Sequence, residues 1–506
     1  MDGGGLAKWR LPFRVVLYVL VGWFVLRFNP FGISDKSDLA SQDAIYRLLA
    51  PGYHSPARDA IVVVLLDEAA IQDLYEWQVF HANEWPVRYR DHAYLLGRIL
   101  GLGPRALFVD VFFRRQRSTD DSFPLLLRVL ERGQERQGVR VLLAGNFAGD
   151  PLTPDQEALE RVADLSLNGW SGFGKAYPLR IGDEFTTAYE LYRRVCLEGS
   201  PLAACTGAPL QDSHLEDGAA LSVYWGSHSP GPLFPEFAHA SCEPFEGTAW
   251  EVVRQAVHGF GQGLLGHLDA EEARVKCPYH RVIFGNELVA VIKRGTPEQK
   301  EALRKAIAGK VVLYGLSLDG LHDVVESPVH GQLPGVFLHA MALDNLMALG
   351  KEYIKASDDF IGRVNLAIWA VLAIFFAVGT RWLETRMVPV SGKGGVDEDV
   401  GGEKGAGQPG AGKVRAAFRH PEAIMFALGT LVVVAVSVFM FSVMDYEPLN
   451  SIGFISLLGA ISLLRDSKLE SHFVERLPRL LGRIFGNSDQ KTRDGKTPRE
   501  AGGGDT

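Results

Sequence analysis

Short apolar runs and amphipathic stretches alternate along most of the chain. Residues 61–66 and 311–314 are apolar, and the second run stops at Gly315. Runs of this kind predict strands that are buried on both faces, as in a parallel sheet. Between them, residues 89–102 carry leucine and isoleucine at helical spacing. This alternation predicts an α/β domain with a mixed, mostly parallel sheet over residues 35–358.

The same patterns predict the remaining elements of this domain. We predict strands at 106–113, 139–144, 219–225 and 288–292, and helices at 69–75, 120–132, 248–257, 298–307 and 336–349. Residues 145–281 are less regular, and we interpret them as an insertion in the sheet domain. A long polar loop is predicted at 317–334. Because ligands of open α/β sheets bind beyond the strand ends, this loop is the first candidate for a binding site.

Four strongly apolar segments lie outside the predicted domain, at residues 11–28, 361–381, 423–444 and 449–464. They have about the length of 17–25 residues that crosses a bilayer. Lysine and arginine gather at one side of this arrangement, which is the cytoplasmic side by the positive-inside rule. We therefore predict four transmembrane helices, with the α/β domain outside the cytoplasm. The cytoplasmic parts are then the N-terminus (1–10), a flexible loop (387–420) and the tail (465–506).

Two of these segments have an alternative interpretation. The first has the start of a signal peptide, but the residues from Asn29 to Gly32 lack a small-x-small cleavage pattern. We therefore interpret it as an uncleaved anchor. The last segment, 449–464, is near the lower length limit for a span, so a buried core helix is its alternative.

Four cysteines, Cys196, Cys205, Cys242 and Cys277, all lie in the predicted outer domain. An even number in one compartment is compatible with disulfides, and the short separation favours Cys196–Cys205 together with Cys242–Cys277. The alternative is a set of buried free thiols, since cysteine is among the most buried residue types. No C-x-x-C pair occurs, which argues against a zinc ribbon or a thioredoxin-like site.

Polar residues near predicted strand ends are the candidates for ligand binding. Asp67 follows the first strand, Asp110 lies in the second, and His322 and Asp323 lie on the loop after residue 315. Carboxylates at the carboxyl ends of parallel strands can line one cleft. Asp67 and Asp110 have a structural alternative, in which they accept hydrogen bonds from loop backbone.

Other motifs do not support catalysis, a cofactor or a metal. In residues 315–319, Asp319 takes the place of the second glycine of a nucleophile elbow. The G-x-G-x-x-G at 261–266 follows a predicted helix instead of a strand, and the P-loop-like 407–413 continues into Val414 instead of Ser or Thr. The spacing of His322, His330 and His339 fits no metal-ligand pattern. A net charge of -8 gives no reason to expect nucleic acid.

Several separated motifs occur in a recognisable order. They are IVVVLLDEAAI at 61–71, the Trp85-Pro86 turn with Arg88, GPRALFVDVFF at 103–113, Asp120-Asp121, and VVLYGLSLDGLHD followed by SPVHGQLPGVFLHAMALDNL. With these motifs the outer domain resembles the second type of CHASE domain, the sensory extracellular domains associated with cyclases and histidine kinases. The resemblance covers roughly residues 41–464 and includes the layout of one span, the domain and three close spans.

The resemblance implies the sensing half of a bacterial signalling protein in the inner membrane, with both termini cytoplasmic. A small molecule or an envelope protein would bind outside. Family members commonly carry an output domain after the last span, and the tail of about 40 residues is too short for one. We therefore expect an output that is either missing or supplied by a separately encoded cytoplasmic effector, and we expect no enzymatic activity. The alternative is a non-signalling scaffold that only docks envelope proteins.

Overall fold

The structure, a computed structural model, describes residues 43–146, 149–167, 176–236, 277–318, 323–356, 367–379 and 421–447, besides a few single positions. The chain divides into two compact units. The larger comprises Lys36–Ile361 and Val436–Leu449, and the smaller comprises Met1–Asp35, Gly362–Ala435 and Asn450–Thr506.

Thirteen strands are found in the larger unit within these described ranges. They are β1 (Ile61–Asp67), β2 (Ala106–Val109), β3 (Arg140–Ala144), β4 (Asp164–Ser166), β5 (Ala176–Pro178), β6 (Arg180–Ile181), β7 (Glu184–Phe185), β8 (Ala220–Ser222), β9 (Arg281–Phe284), β10 (Val311–Ser317), β11 (Val324–Ser327), β12 (Gly331–Pro334) and β13 (Lys355–Ala356).

The α-helices of the larger unit include α1 (Glu68–Glu76), α2 (Tyr89–Leu100), α3 (Phe123–Gln137), α4 (Pro154–Glu160), α5 (Thr187–Tyr192), α6 (Gly285–Arg294), α7 (Pro297–Ile307) and α8 (Val336–Leu349), and residues 43–49 are also helical. Shorter helical turns occur at Ala50–Gly52, Pro56–Ala60, Arg193–Leu197 and Asp212–His214. A further helix, α9 (Pro421–Met444), begins in the smaller unit and ends in the larger one.

A parallel sheet of six strands, in the order β4-β3-β2-β10-β1-β9, forms the centre of the larger unit. The apolar runs predicted from the sequence are its central strands β1 and β10. They are apolar throughout because both faces are covered. Ile61, Val63 and Leu65 pack with α5 and α8 on one face, whereas the intervening residues pack with α1, α2, α3, α6 and α7 on the other.

Helix α8 lies unusually close to strand β10. A Cβ atom added to Gly315 would lie 2.6 Å from the Cβ of Val336. Side-chain atoms do not approach this closely, so only glycine permits the observed packing. The first turn of α8 is thereby held at the carboxyl end of the sheet.

The structure corrects several sequence predictions. The predicted strand at 288–292 is wrong, because these residues belong to α6 and the neighbouring strand is β9. Short apolar runs are ambiguous between strand and helix, and here the Glu287 carboxylate accepts a hydrogen bond from the Phe284 N–H (2.9 Å) and caps the helix. Strand β2 ends at Val109, so Asp110 lies just beyond the strand. The predicted loop 317–334 contains the hairpin β11–β12.

Some predictions concern residues that are described only in part. The helix predicted at 248–257 and the span predicted at 449–464 lie outside the described residues. The segments 11–28 and 361–381 are described in part, and 423–444 lies within α9. In the portion of the chain that the structure describes, no helix combines the length and the hydropathy required to cross a bilayer.

Candidate functional site

A cleft of about 610 Å³ opens at the carboxyl edge of the sheet. Residues that follow β2 and β3, the last part of β10 and the first turn of α8 line it. We call Asp110, Asp323 and His339 the cleft floor, and Trp85, Phe112, Arg114 and Arg115 the cleft rim; all seven line the cleft. Its position is the usual ligand position in open parallel sheets, and its volume is in the usual range of small-molecule sites.

The parallel pairing of the strands assembles the cleft floor. Asp110 follows β2 directly, and its N–H donates to the carbonyl of Tyr314 in β10 (2.8 Å). The carbonyl of Asp323 accepts from the N–H of Gly335 (3.0 Å), just before α8. A Cβ at Gly335 would meet the Asp323 carboxyl group, which would have to move to make room. His339 follows one turn later, with Nε2 3.9 Å from Asp110 Oδ1.

The two carboxyl groups of the cleft floor influence each other. Burial raises the pKa of Asp110 well above its usual value, and the nearby negative charge of Asp323 raises it further. The pKa of Asp323 is also raised, because the surrounding protein removes part of its water. Asp110 is the more enclosed, with its side chain 14% exposed. Neither side chain forms a hydrogen bond with any described residue.

His339 is held by a hydrogen bond on its far side. Its Nδ1 lies 2.7 Å from the Tyr177 hydroxyl, whose oxygen accepts from the N–H of Ala188 (3.0 Å). This arrangement favours donation of the Tyr177 proton to Nδ1, which leaves the imidazole proton on Nε2, toward Asp110. Burial lowers the pKa of His339 to about 4, so the ring is neutral at pH 7.

The three arginines that line the cleft differ in their contacts. Arg117 donates to the carbonyls of Pro86 (2.9 Å) and Val87 (2.7 Å), and its guanidinium lies 4.4 Å from the centre of the Tyr89 ring. Arg117 therefore supports the turn that carries Trp85. Arg114 and Arg115 are exposed at the cleft rim. Neither has an ion-pair partner within the described part of the chain.

Asp67 has a different environment from Asp110. Its carboxylate accepts from the Ala70 N–H (2.8 Å) and caps α1, and it does not line the cleft. His322 lies outside the described residues. Cys196 and Cys205 form a disulfide, and Cys277 is also disulfide-bonded, whereas Cys242 is outside the described residues. Of the predicted ligand-binding residues, the structure thus brings Asp110 and Asp323 together.

Two components of the cleft were not predicted from the sequence. His339 was considered only as a metal ligand, although its place in the first turn of α8, after a strand-end loop, puts it at the sheet edge. Arg114 and Arg115 follow the strand-end apolar run directly. A charged pair at the carboxyl end of a strand was the available signal for a binding role.

A second polar cluster lies at the other end of α8. We call Tyr53, His280, Asp344 and Asn345 the α8 cluster. The Tyr53 hydroxyl donates to Asp344 Oδ1 (2.6 Å), His280 Nε2 lies 3.2 Å from Asp344 Oδ2, and Asn345 Nδ2 donates to the Tyr53 oxygen (2.9 Å). All four residues are buried. Their hydrogen bonds fix the position of α8 against the rest of the domain.

The α8 cluster connects to the end of α9 inside the larger unit. Asn345 Oδ1 accepts from the N–H of Tyr224 (2.7 Å), and the Tyr224 ring packs edge-on against Phe441, with ring centres 4.8 Å apart. Lys355 adds backbone contacts, donating to the carbonyl of Asp445 (2.8 Å) and accepting from the N–H of Glu447 (3.2 Å). One helix therefore extends from the cleft to the residues that hold the end of α9.

Comparison with known proteins identifies the family. A family model for the CHASE2 domain matches residues 16–379, well over half of the chain. The match confirms the resemblance that the sequence motifs indicated. No curated protein and no solved structure matches the chain.

Proposed function

Because the chain belongs to the CHASE2 family of extracellular sensory domains, we propose that it senses a small molecule and binds it in the cleft at the carboxyl edge of the sheet. The observation that carries the proposal is the cleft floor. It gathers the carboxyl groups of Asp110 and Asp323 and the Nε2 of His339 without a hydrogen-bond partner for either carboxyl among the described residues.

The energetics of the cleft floor support a ligand. Asp110 is largely enclosed whereas Asp323 is exposed, and a carboxyl group with little access to water gains from the hydrogen bonds that a ligand can supply. Two neighbouring carboxyl groups add their mutual repulsion. A fold that retains this arrangement in a cleft of ligand size is suited to a molecule that supplies the missing hydrogen bonds.

We also propose how the signal leaves the domain. The four apolar segments would cross a bacterial inner membrane, and the larger unit would lie outside the cytoplasm. Ligand binding at the first turn of α8 would bias the position of this helix, and the α8 cluster would pass the change to the end of α9. A cytoplasmic partner would detect it. For a signal to arise, the ligand must bind two states with different affinity.

The test is thermal unfolding of the full chain in detergent against a panel of small metabolites. A molecule that binds only the folded state raises the midpoint. We expect such a molecule to lose its effect on Asp110→Asn and to keep it on Asp183→Asn, which changes an exposed carboxylate of a surface ion pair with Arg180. If no member of a wide panel raises the midpoint, the proposal fails and docking of an envelope protein becomes the better interpretation.

A further inference from the structure

Charged groups of both signs line the cleft, and this combination indicates the class of ligand. The inference rests on the proposed function and deepens it. The cleft floor carries two carboxyl groups, whereas the cleft rim carries two guanidinium groups. The histidines of the lining, His92 and His339, are both neutral at pH 7, because burial lowers their pKa values to about 3 and about 4.

The cleft floor is suited to an amine. Asp110 and Asp323 together offer several acceptor positions and receive no hydrogen bond from the described residues. An ammonium group has three donors and no acceptor, and its positive charge would offset the repulsion between the carboxylates. An anion is disfavoured at this position, because the surroundings of both carboxyl groups already oppose negative charge.

The cleft rim is suited to a carboxylate. Arg114 and Arg115 are exposed, and no carboxylate of the described residues pairs with them. Guanidinium groups bind carboxylates through two parallel hydrogen bonds, and these charge-assisted bonds are about twice as strong as neutral ones. Arg117 is not part of this group, because its guanidinium already donates to two backbone carbonyls.

Aromatic side chains are the third feature of the cleft lining that indicates the class of ligand. The rings of Trp85 and Phe112 line the cleft, yet they are 41% and 46% exposed to solvent. Large apolar side chains gain free energy when a partner covers them, by about 25 cal/mol for each Å² removed from water. A ligand with an apolar body would gain this contact at the cleft rim.

We propose that the cleft binds a free amino acid, or a small zwitterion like it, with an apolar side chain. Its ammonium group lies between Asp110 and Asp323, its carboxylate meets Arg114 and Arg115, and its side chain covers Trp85 and Phe112. The two charged groups of this ligand match the two kinds of charge that line the cleft, and a molecule of this size can be accommodated in about 610 Å³.

The test compares three probes of the same body by calorimetry on the full chain in detergent: L-phenylalanine, phenethylamine and 3-phenylpropionate. We expect phenylalanine to bind at least about tenfold more tightly than either of the others, since each lacks one charge-assisted contact. Asp323→Asn should weaken phenylalanine and phenethylamine only. The double substitution of Arg114 and Arg115 by Gln should weaken phenylalanine and 3-phenylpropionate only, and Asp183→Asn should change none.

The comparison of the three probes on the wild-type chain tests the inference even if a variant fails to fold. Equal binding of phenethylamine and phenylalanine would overturn the inference in favour of a cation site, and equal binding of 3-phenylpropionate in favour of an anion site. If none of the probes binds while another metabolite raises the unfolding midpoint, the inference is wrong and the proposed function stands. If no small molecule binds in either experiment, both are wrong.

Discussion

The two ends of α8 both lie beside carboxyl groups, and these groups are in opposite states. Asp344, in the α8 cluster, is fully buried and accepts hydrogen bonds on both oxygens, from Tyr53 and His280. Asp110 and Asp323, on the cleft floor, receive none from the described residues, and loss of contact with water raises the pKa of both carboxyl groups. The same helix thus joins a saturated polar cluster to an unsatisfied one.

This difference separates stability from function. A fully satisfied buried network holds one geometry and contributes to a unique fold. An unsatisfied group costs stability and persists where a binding partner can complete it. We therefore interpret the α8 cluster as the network that fixes one end of α8. We interpret the cleft floor as the region that responds to a ligand. The following predictions test this difference between the two regions, in order of decreasing expected effect on stability.

Asp344→Ala should cause the largest loss. It leaves the Tyr53 hydroxyl and His280 buried without their acceptor, and each buried polar group that is left unsatisfied costs about 1–3 kcal/mol. Denaturant unfolding of the purified chain measures this loss as a decrease in the free energy of unfolding. Asp344→Asn should lose less, because its amide oxygen can still accept from Tyr53. A loss below about 1 kcal/mol for the alanine variant would contradict the role of a fixed end.

Acid should destabilise the domain through its buried histidines. Burial lowers the pKa of His92 to about 3 and the pKa values of His330 and His339 to about 4. Since an unfolded histidine titrates near 6.5, the unfolded chain binds more protons between pH 6.5 and about 4. The stability contributed by the neutral rings is complete above pH 6.5 and is lost as the pH falls through this window.

We expect a loss of at least ~2 kcal/mol between pH 7 and pH 4.5, measured by denaturant unfolding at several pH values. His339→Gln, which removes one of these groups, should make the decline shallower. His54→Gln, a change of an exposed histidine outside the cleft, serves as the control. A stability that is level over this range would contradict the prediction.

Asp323→Asn should have the smallest effect and the opposite sign. The pKa of Asp323 is raised in the folded state, so its carboxyl group contributes stability at low pH and loses that contribution as the pH rises from about 4 through the raised value. An amide avoids this cost. The variant should therefore match the parent near pH 4 and be slightly more stable than the parent at pH 8, a small difference because Asp323 is exposed to solvent.

The measurement is the difference in unfolding free energy between variant and parent at both pH values. Asp344→Asn, the same chemical change at the saturated end of α8, is the matched control and should destabilise at pH 8. If Asp323→Asn destabilised as strongly as Asp344→Asn, the carboxyl group of the cleft floor would have a structural role, and the contrast between the two ends would be lost.

Local sequence patterns are sufficient to predict those helices and strands whose apolar residues follow a clear pattern. The apolar runs became β1 and β10 because strands buried on both faces must be apolar throughout. The helix 336–349 was predicted with the bounds that α8 has. The run at 288–292 was misassigned, because five apolar residues fit either a strand or one face of a helix.

Which polar residues lie close together in the cleft can be seen only in the tertiary structure. Asp67 and Asp110 both follow buried strands and look alike in the sequence, but α1 begins immediately after Asp67 and uses its carboxylate as a cap. Asp110 has no such helix and faces the cleft. It meets Asp323 because β2 pairs with β10 and α8 is packed against that strand at Gly315. Local pattern specifies an element, whereas proximity between distant residues depends on strand order and packing, which no short stretch of sequence contains.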